Sequence, residues 1–116
     1  MPSHTDDRID YIEFSATDIP ATKAFYSAAF GWKFTDYGPD YVSFEDGESG
    51  GGFAKVKTNK RGGPLVILYS TALEQTETTV KKAGGKIAKP IFSFPGGRRF
   101  HFLDPNGNEL AVWSDK

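Results

Sequence analysis

No cysteine occurs anywhere in the 116 residues. That excludes disulfide staples, thiol nucleophiles and cysteine-based metal sites together. Methionine is almost as scarce, one residue against ten phenylalanines, so the interior is expected to be rigid and filled with rings. No apolar run approaches the roughly 18 residues that a membrane span needs. The first ten residues, Met1 to Asp10, are polar and carry no signal-peptide core, so the chain reads as cytoplasmic, with no membrane partner. No Ser-His-Asp arrangement and no CxxC is present, and the glycines at 50–52 lack the lysine and helix of a phosphate-binding loop. Basic residues are scattered, so nucleic-acid binding is not expected.

What is present describes one globular domain. The length suffices to bury a core, with 38% hydrophobic and 15% aromatic residues. Net charge is −1, but it is unevenly spread. Up to Thr58 there are ten acids against five bases; from Asn59 onward, five acids against nine bases. The halves therefore carry about −5 and +4. Two readings follow: ordinary solvated surfaces, or an acidic half of one copy facing the basic half of another in a dimer.

The chain reads as an element pattern given twice. Ile9 to Ser15 is a strand, with Tyr11 and Glu13 on one face and Ile12 and Phe14 on the other. Asp18 is a good N-cap before Pro20, and Gly31 a left-handed stop, so residues 20–30 form a helix with Ala21, Ala24, Phe25, Ala28 and Ala29 near helical spacing. Strands follow at 32–35, 41–45 and 52–57, the last entered through Gly50-Gly51-Gly52. That triplet is either a flexible hairpin loop or a close approach of backbone to a ligand or another strand. Residues 59–63 read as a linker between modules at about 8–58 and 64–114. Beyond it come a strand at 65–69 and a helix with the stripe Leu73, Thr76, Val80 and Ala83, ended by Gly84-Gly85. Three strands at 86–88, 99–103 and 109–113 complete the unit. The stretches Phe30-Gly31-Trp32-Lys33-Phe34 and Ala83-Gly84-Gly85-Lys86-Ile87 correspond, about 53 residues apart. The expected fold class is α+β: two tandem βαβββ modules whose sheets pair as an incomplete barrel around a cavity.

Particular residues carry a family resemblance. Asp18-Ile19-Pro20, Ala24-Phe25-Tyr26 and Phe30-Gly31-Trp32 resemble the opening of vicinal-oxygen-chelate proteins. Gly97-Arg98-Arg99-Phe100 and Asp104-Pro105-Asn106-Gly107-Asn108-Glu109-Leu110 resemble their closing strands. That superfamily includes glyoxalase I, bleomycin and fosfomycin resistance proteins and extradiol dioxygenases. The resemblance runs from about Ile9 to Trp113 and is more specific for fold than for activity. The Asp104–Asn108 turn also has its own physical reason, since Asn106-Gly107 accepts the backbone angles of a tight hairpin, and it reads as structural.

The resemblance implies a divalent metal held by His, Gln or Glu side chains on inward strand faces. Carried over residue by residue, its ligand positions fall on Tyr11, about Leu65 and Ala111, with a fourth somewhere in 50–54. Leucine and alanine side chains cannot bind a divalent cation, and neutral tyrosine is a poor ligand. No metal and no other cofactor is therefore expected. A displaced constellation of Glu13 with Glu109 or His101 is the one alternative.

For chemistry, His4 lies in the polar start and is set aside. Arg99 and His101 share one face of their strand; Arg98, Phe100 and Phe102 share the other. Either face could be the inward one. Arg99 with His101 would bind an anion and shuttle a proton, whereas Arg98 would sit in an aromatic slot. His101 could equally be a hydrogen-bonded strand residue. Glu13 could bind a cation, act as a base with a raised pKa, or pair with Arg98 or Arg99. The catalytic candidates are thus Glu13 and His101. The ligand-binding candidates are Tyr11, Glu13, Tyr41, Phe53, Tyr69, Arg99, His101 and Trp113. The leading expectation is a metal-free binder of a small organic molecule that pairs as a homodimer. A lyase, isomerase or dioxygenase with a displaced or absent metal is the alternative, and a purely structural partner the third.

Overall fold

A computed structural model describes residues 6–7, 9–60 and 62–116. His4 and the linker residue Arg61 lie outside the described residues. The elements run β1 (Tyr11–Ala16), α1 (Ile19–Phe30), β2 (Lys33–Asp36), β3 (Tyr41–Glu45), β4 (Gly50–Lys55), β5 (Val66–Tyr69), α2 (Leu73–Lys82), β6 (Lys86–Phe94), β7 (Gly97–Leu103) and β8 (Glu109–Ser114). This is βαβββ twice. The strands form two four-stranded mixed sheets, ordered β1-β4-β3-β2 and β5-β8-β7-β6, and no barrel closes. In each, the first strand runs parallel to the last (β1 with β4, β5 with β8) while the remaining pairs are antiparallel. No helix among the described residues is long and apolar enough to cross a membrane.

Helix α1 starts where its cap dictates. Asp18 Oδ1 accepts the Ala21 N–H at 3.0 Å, Pro20 sits in the first turn, and Gly31 ends the helix with φ of 73°. Its buried stripe is Ile19, Thr22, Phe25 and Tyr26; Ala24 and Ala28, expected on that stripe, face solvent. The large rings decide the orientation, because they have far more apolar area to remove from water than the alanines. Helix α2 buries Leu73 and Val80, as its spacing predicts.

One aromatic core joins the helices to one face of each sheet. Tyr26 stacks on Trp32 at 4.6 Å, Trp32 on Phe44 at 4.4 Å, and Phe14 on Phe53 at 5.1 Å. Phe25 reaches across to Phe102 of β7 at 5.9 Å, so α1 packs against both modules. Phe53, expected as a cavity wall, is a correction: it is fully buried in this core between Phe14, Phe44 and Tyr26. Strand alternation puts it on the face of β4 opposite Gly52.

The Gly50-Gly51-Gly52 triplet takes the second of its two readings, a close approach to neighbouring strands. It is not a hairpin loop but the first half of β4, paired with β1 on one side and β3 on the other. Strand β6 is longer than expected, running through Pro90 to Phe94 with two register irregularities that absorb the proline.

Candidate functional site

One face of each sheet is buried on the helices; the other is exposed in part, with His101 and Ala111 of the second sheet buried on it. The ligand candidates divide between these two open faces. Tyr11 and Glu13 of β1 and Tyr41 of β3 gather on the first sheet. Tyr69, Trp113, Arg99 and His101 gather on the second. No hydrogen bond or ion pair joins the two groups among the described residues.

On the first sheet the two tyrosines lie across the backbone of β4. Tyr41 Oη donates to Glu13 Oε1 at 3.0 Å and so receives the Tyr11 hydroxyl hydrogen at 2.6 Å. Gly52 makes this possible: a Cβ there would fall 2.1 Å from Tyr41 Oη and 2.5 Å from Tyr11 Oη. Glu13 is exposed and takes its hydrogen bond from Tyr41; of its three alternatives, the ion pair with Arg98 or Arg99 does not form. Burial first, then the hydrogen bonds to Tyr11 and Glu13, push the Tyr41 phenol well above the ordinary tyrosine value. Glu13→Gln removes the carboxylate charge and weakens that bond. The Tyr41 midpoint in a tyrosine-labelled NMR titration is therefore expected to fall toward the ordinary value. An unmoved midpoint would contradict the bonded chain of three groups.

On the second sheet the side chains form two rows across the strands. Tyr69, Trp113, Arg99 and Phe92 stand in register from β5 to β6, and beside them Ile67, Ala111, His101 and Lys89. Tyr69 meets Trp113 edge to face at 5.2 Å. The Arg99 guanidinium carbon lies 5.4 Å from the Phe92 ring centre and 5.6 Å from that of Phe94. His101 is 3% exposed; its Nδ1 lies 2.8 Å from Glu109 Oε2. Arg98, on the opposite face, is occupied by Glu74 and the Lys116 carbonyl. Arg99 and His101 thus share the face of β7 opposite Arg98, with Arg99 partly exposed and His101 buried.

Glu109 is the member of this group that sequence reasoning placed with a metal and not with its histidine. The signal was available. The turn puts Leu103 opposite Glu109, so Glu109 is the diagonal neighbour of His101 on the same face.

The positions implied for metal ligands carry no set of donors. Ala111 is fully buried opposite His101, Tyr11 is bonded to Tyr41, and residues 50–54 offer glycine, phenylalanine and alanine. Among the described residues no three His, Asp or Glu side chains come close enough to hold an ion. A groove of about 410 Å³ runs along β1 beside the linker and is lined in part by Tyr11, Glu13, Asn59 and Lys60.

Comparison with known proteins agrees with this architecture. At 25% identity over 115 residues, 90% of this chain matches 44% of "Putative glyoxylase CFP32" from Mycobacterium bovis. The chain thus spans under half the length of the curated relatives it matches. A glyoxalase-related enzyme from Fulvimarina pelagi superposes with a TM-score of 0.82 at 19% identity, covering 93% of this chain and 88% of that one. The fosfomycin resistance protein FosX from Listeria monocytogenes, bound to Mn(II) and a dihydroxypropylphosphonic acid, gives 0.80 at 16% identity, covering 93% and 90%. The family model of the Glyoxalase/Bleomycin resistance protein/Dioxygenase superfamily matches residues 8–112, and on that match and this fold the chain belongs to that superfamily.

Proposed function

We propose that this protein binds a small organic molecule on its open sheet faces, without a metal ion, and that a second copy covers those faces. One observation carries the reading. Large apolar and aromatic side chains stand exposed on these faces, Tyr11 at 47%, Ile67 at 44% and Tyr69 at 49%, and on the second sheet the Arg99 guanidinium has no acid on it among the described residues. A ligand and a partner copy would together remove that surface from water. The metal half rests on donor chemistry. The Listeria protein holds Mn(II), but at the ligand positions the family resemblance implies here, Tyr11, about Leu65 and Ala111, the side chains do not fit a divalent cation.

The test is a screen of small organic compounds in the presence of chelator, read by thermal stabilisation and by Trp113 fluorescence. Trp32 is buried in the core, so Trp113→Phe should remove the quench and leave the thermal shift. Binding that appears only on adding a divalent ion would sink the metal-free half. For the pairing, the halves of −5 and +4 predict a dimer that weakens at high salt in sedimentation. A monomer at every salt concentration would remove the partner copy from the reading.

A second reading, a glyoxalase-like lyase or isomerase, draws on the glyoxylase name of the mycobacterial relatives and on the His101–Glu109 pair. A carboxylate holding one imidazole nitrogen orients the other for proton transfer. Chemical conversion of a bound compound, lost in Glu109→Gln, would favour it.

A further inference from the structure

We infer that the second sheet's open face takes one chemical class of ligand: a small aromatic anion with a hydroxyl across the ring from its charge. The inference rests on the small-molecule reading and specifies its ligand. Two nitrogens carry it. Among the described residues, Arg99 Nε and His101 Nε2 are the buried side-chain polar atoms that have no hydrogen-bond partner. Buried polar groups are ordinarily satisfied, so two on neighbouring positions of one strand point to a molecule that supplies both partners.

Each nitrogen asks for something different. Arg99 is a permanent cation, and the described ion pairs leave it without a carboxylate, whereas Arg98 has Glu74. Its guanidinium rests between the Phe92 and Phe94 rings, an apolar setting in which a planar anion is held more strongly than in water. His101 has its Nδ1 committed to Glu109. With the proton on Nδ1, Nε2 is an acceptor and is satisfied by a hydroxyl that donates. A cationic ligand is repelled by Arg99, and an anion without a donor leaves Nε2 unpaired.

Spacing and shape narrow the class. Residues 99 and 101 are two steps apart on β7, about 6.6 Å along the strand. That is roughly the span of a benzene ring carrying a substituent at each end. Tyr69, Trp113, Phe92 and Phe94 offer ring surfaces on either side. Phe92 touches both groups, its ring 5.8 Å from the imidazole, so ligand access requires it to rotate aside.

Calorimetric titration of the full chain with four probes tests this: 4-hydroxybenzoate, benzoate, phenol and 4-hydroxybenzamide. The expected result is that 4-hydroxybenzoate binds at least tenfold more tightly than each of the others. Arg99→Gln should erase its advantage over the amide, and His101→Phe its advantage over benzoate. The wild-type comparison decides the matter even where a variant fails to fold. Equal affinity for benzoate and 4-hydroxybenzoate overturns the role of His101. Equal affinity for the acid and the amide overturns that of Arg99. If none of the four binds while another compound from the screen quenches Trp113, the ligand class is wrong and the small-molecule reading stands. If no compound of any class binds, both fall.

Discussion

Asp104→Ala is expected to lower stability by about 3 kcal/mol or more, a large part of what a domain this size possesses. Asp104 is 5% exposed, and its carboxylate gathers donors from two modules. Oδ1 accepts the backbone N–H of Asn106 at 2.8 Å and of Asn108 at 2.9 Å. Oδ2 accepts the Tyr26 hydroxyl at 2.9 Å and the Asn108 amide at 3.0 Å. Truncation leaves these donors buried and unpaired, which costs more than the bonds contributed. The loss spreads further. Asn106, held by Asp104, presents Oδ1 to the backbone N–H of Thr17 at 2.9 Å and of Asp18 at 3.2 Å, and so helps to secure the start of α1 from the other module. The melting temperature should fall by about 10 °C or more. Tyr26→Phe removes one donor and should cost about 1–1.5 kcal/mol. It should also change the alkaline behaviour. Burial, then the charge and hydrogen bond of Asp104, raise the Tyr26 phenol well above 10.0. The folded state then holds a proton that the unfolded state gives up, so stability declines as pH rises past that ordinary value. Tyr26→Phe should flatten that decline. Denaturant unfolding of the three proteins checks all of this, and an Asp104→Ala loss within 0.5 kcal/mol (roughly the scatter of surface substitutions) would dismiss the latch.

This network shows where the sequence was readable and where it was not. Asp104-Pro105-Asn106-Gly107-Asn108 is legible as a turn because its requirements are local: Gly107 has φ of 85°, and Asp104 N–H bonds the Asn108 carbonyl at 2.9 Å. That the same side chains secure a helix more than 80 residues away is a tertiary fact, with no local spacing to announce it. The repeat, the cap at Asp18 and the stop at Gly31 were likewise local and came through. The site was legible by face and not by assembly. Alternation correctly grouped Tyr11 with Glu13 and Arg99 with His101. It could not say that Phe53 turns toward the helix, because a strand buried on one face reads the same whichever face is buried. Nor could it show that Glu13 would find a tyrosine rather than an arginine, since that depends on which strand lies beyond β4 from β1.

The glycine triplet yields the second large effect, and the three substitutions should differ sharply although they are adjacent. Gly51→Ala places a Cβ 2.2 Å from the Ile12 carbonyl oxygen and 2.5 Å from the Phe44 ring. Gly51 pairs with Ile12 in β1 and with Phe44 in β3, so the clash is with both neighbouring strands at once. A carbonyl fixed in a parallel ladder cannot rotate away, and relief means prising β1 from β4. Overpacking of this kind costs about 1–3 kcal/mol, and backbone involvement puts Gly51→Ala at about 3. At Gly50 the nearest atom is the Phe44 carbonyl oxygen at 3.5 Å, an ordinary contact, so Gly50→Ala should stay within about 0.5 kcal/mol of the parent. At Gly52 the obstructing atoms are the tips of Tyr41 and Tyr11, which can swing out. Gly52→Ala should therefore cost about 1 kcal/mol, on the scale of the side-chain hydrogen bonds it breaks, and leave the sheet intact. It should also free the Tyr41 phenol from its partners and bring its titration down toward the ordinary value. Unfolding midpoints ordered Gly50, Gly52, Gly51 from mildest to most severe would mean that each glycine answers to its own neighbour. Equal losses at all three would mean that the triplet acts through chain flexibility, and the close-approach account would have to be abandoned.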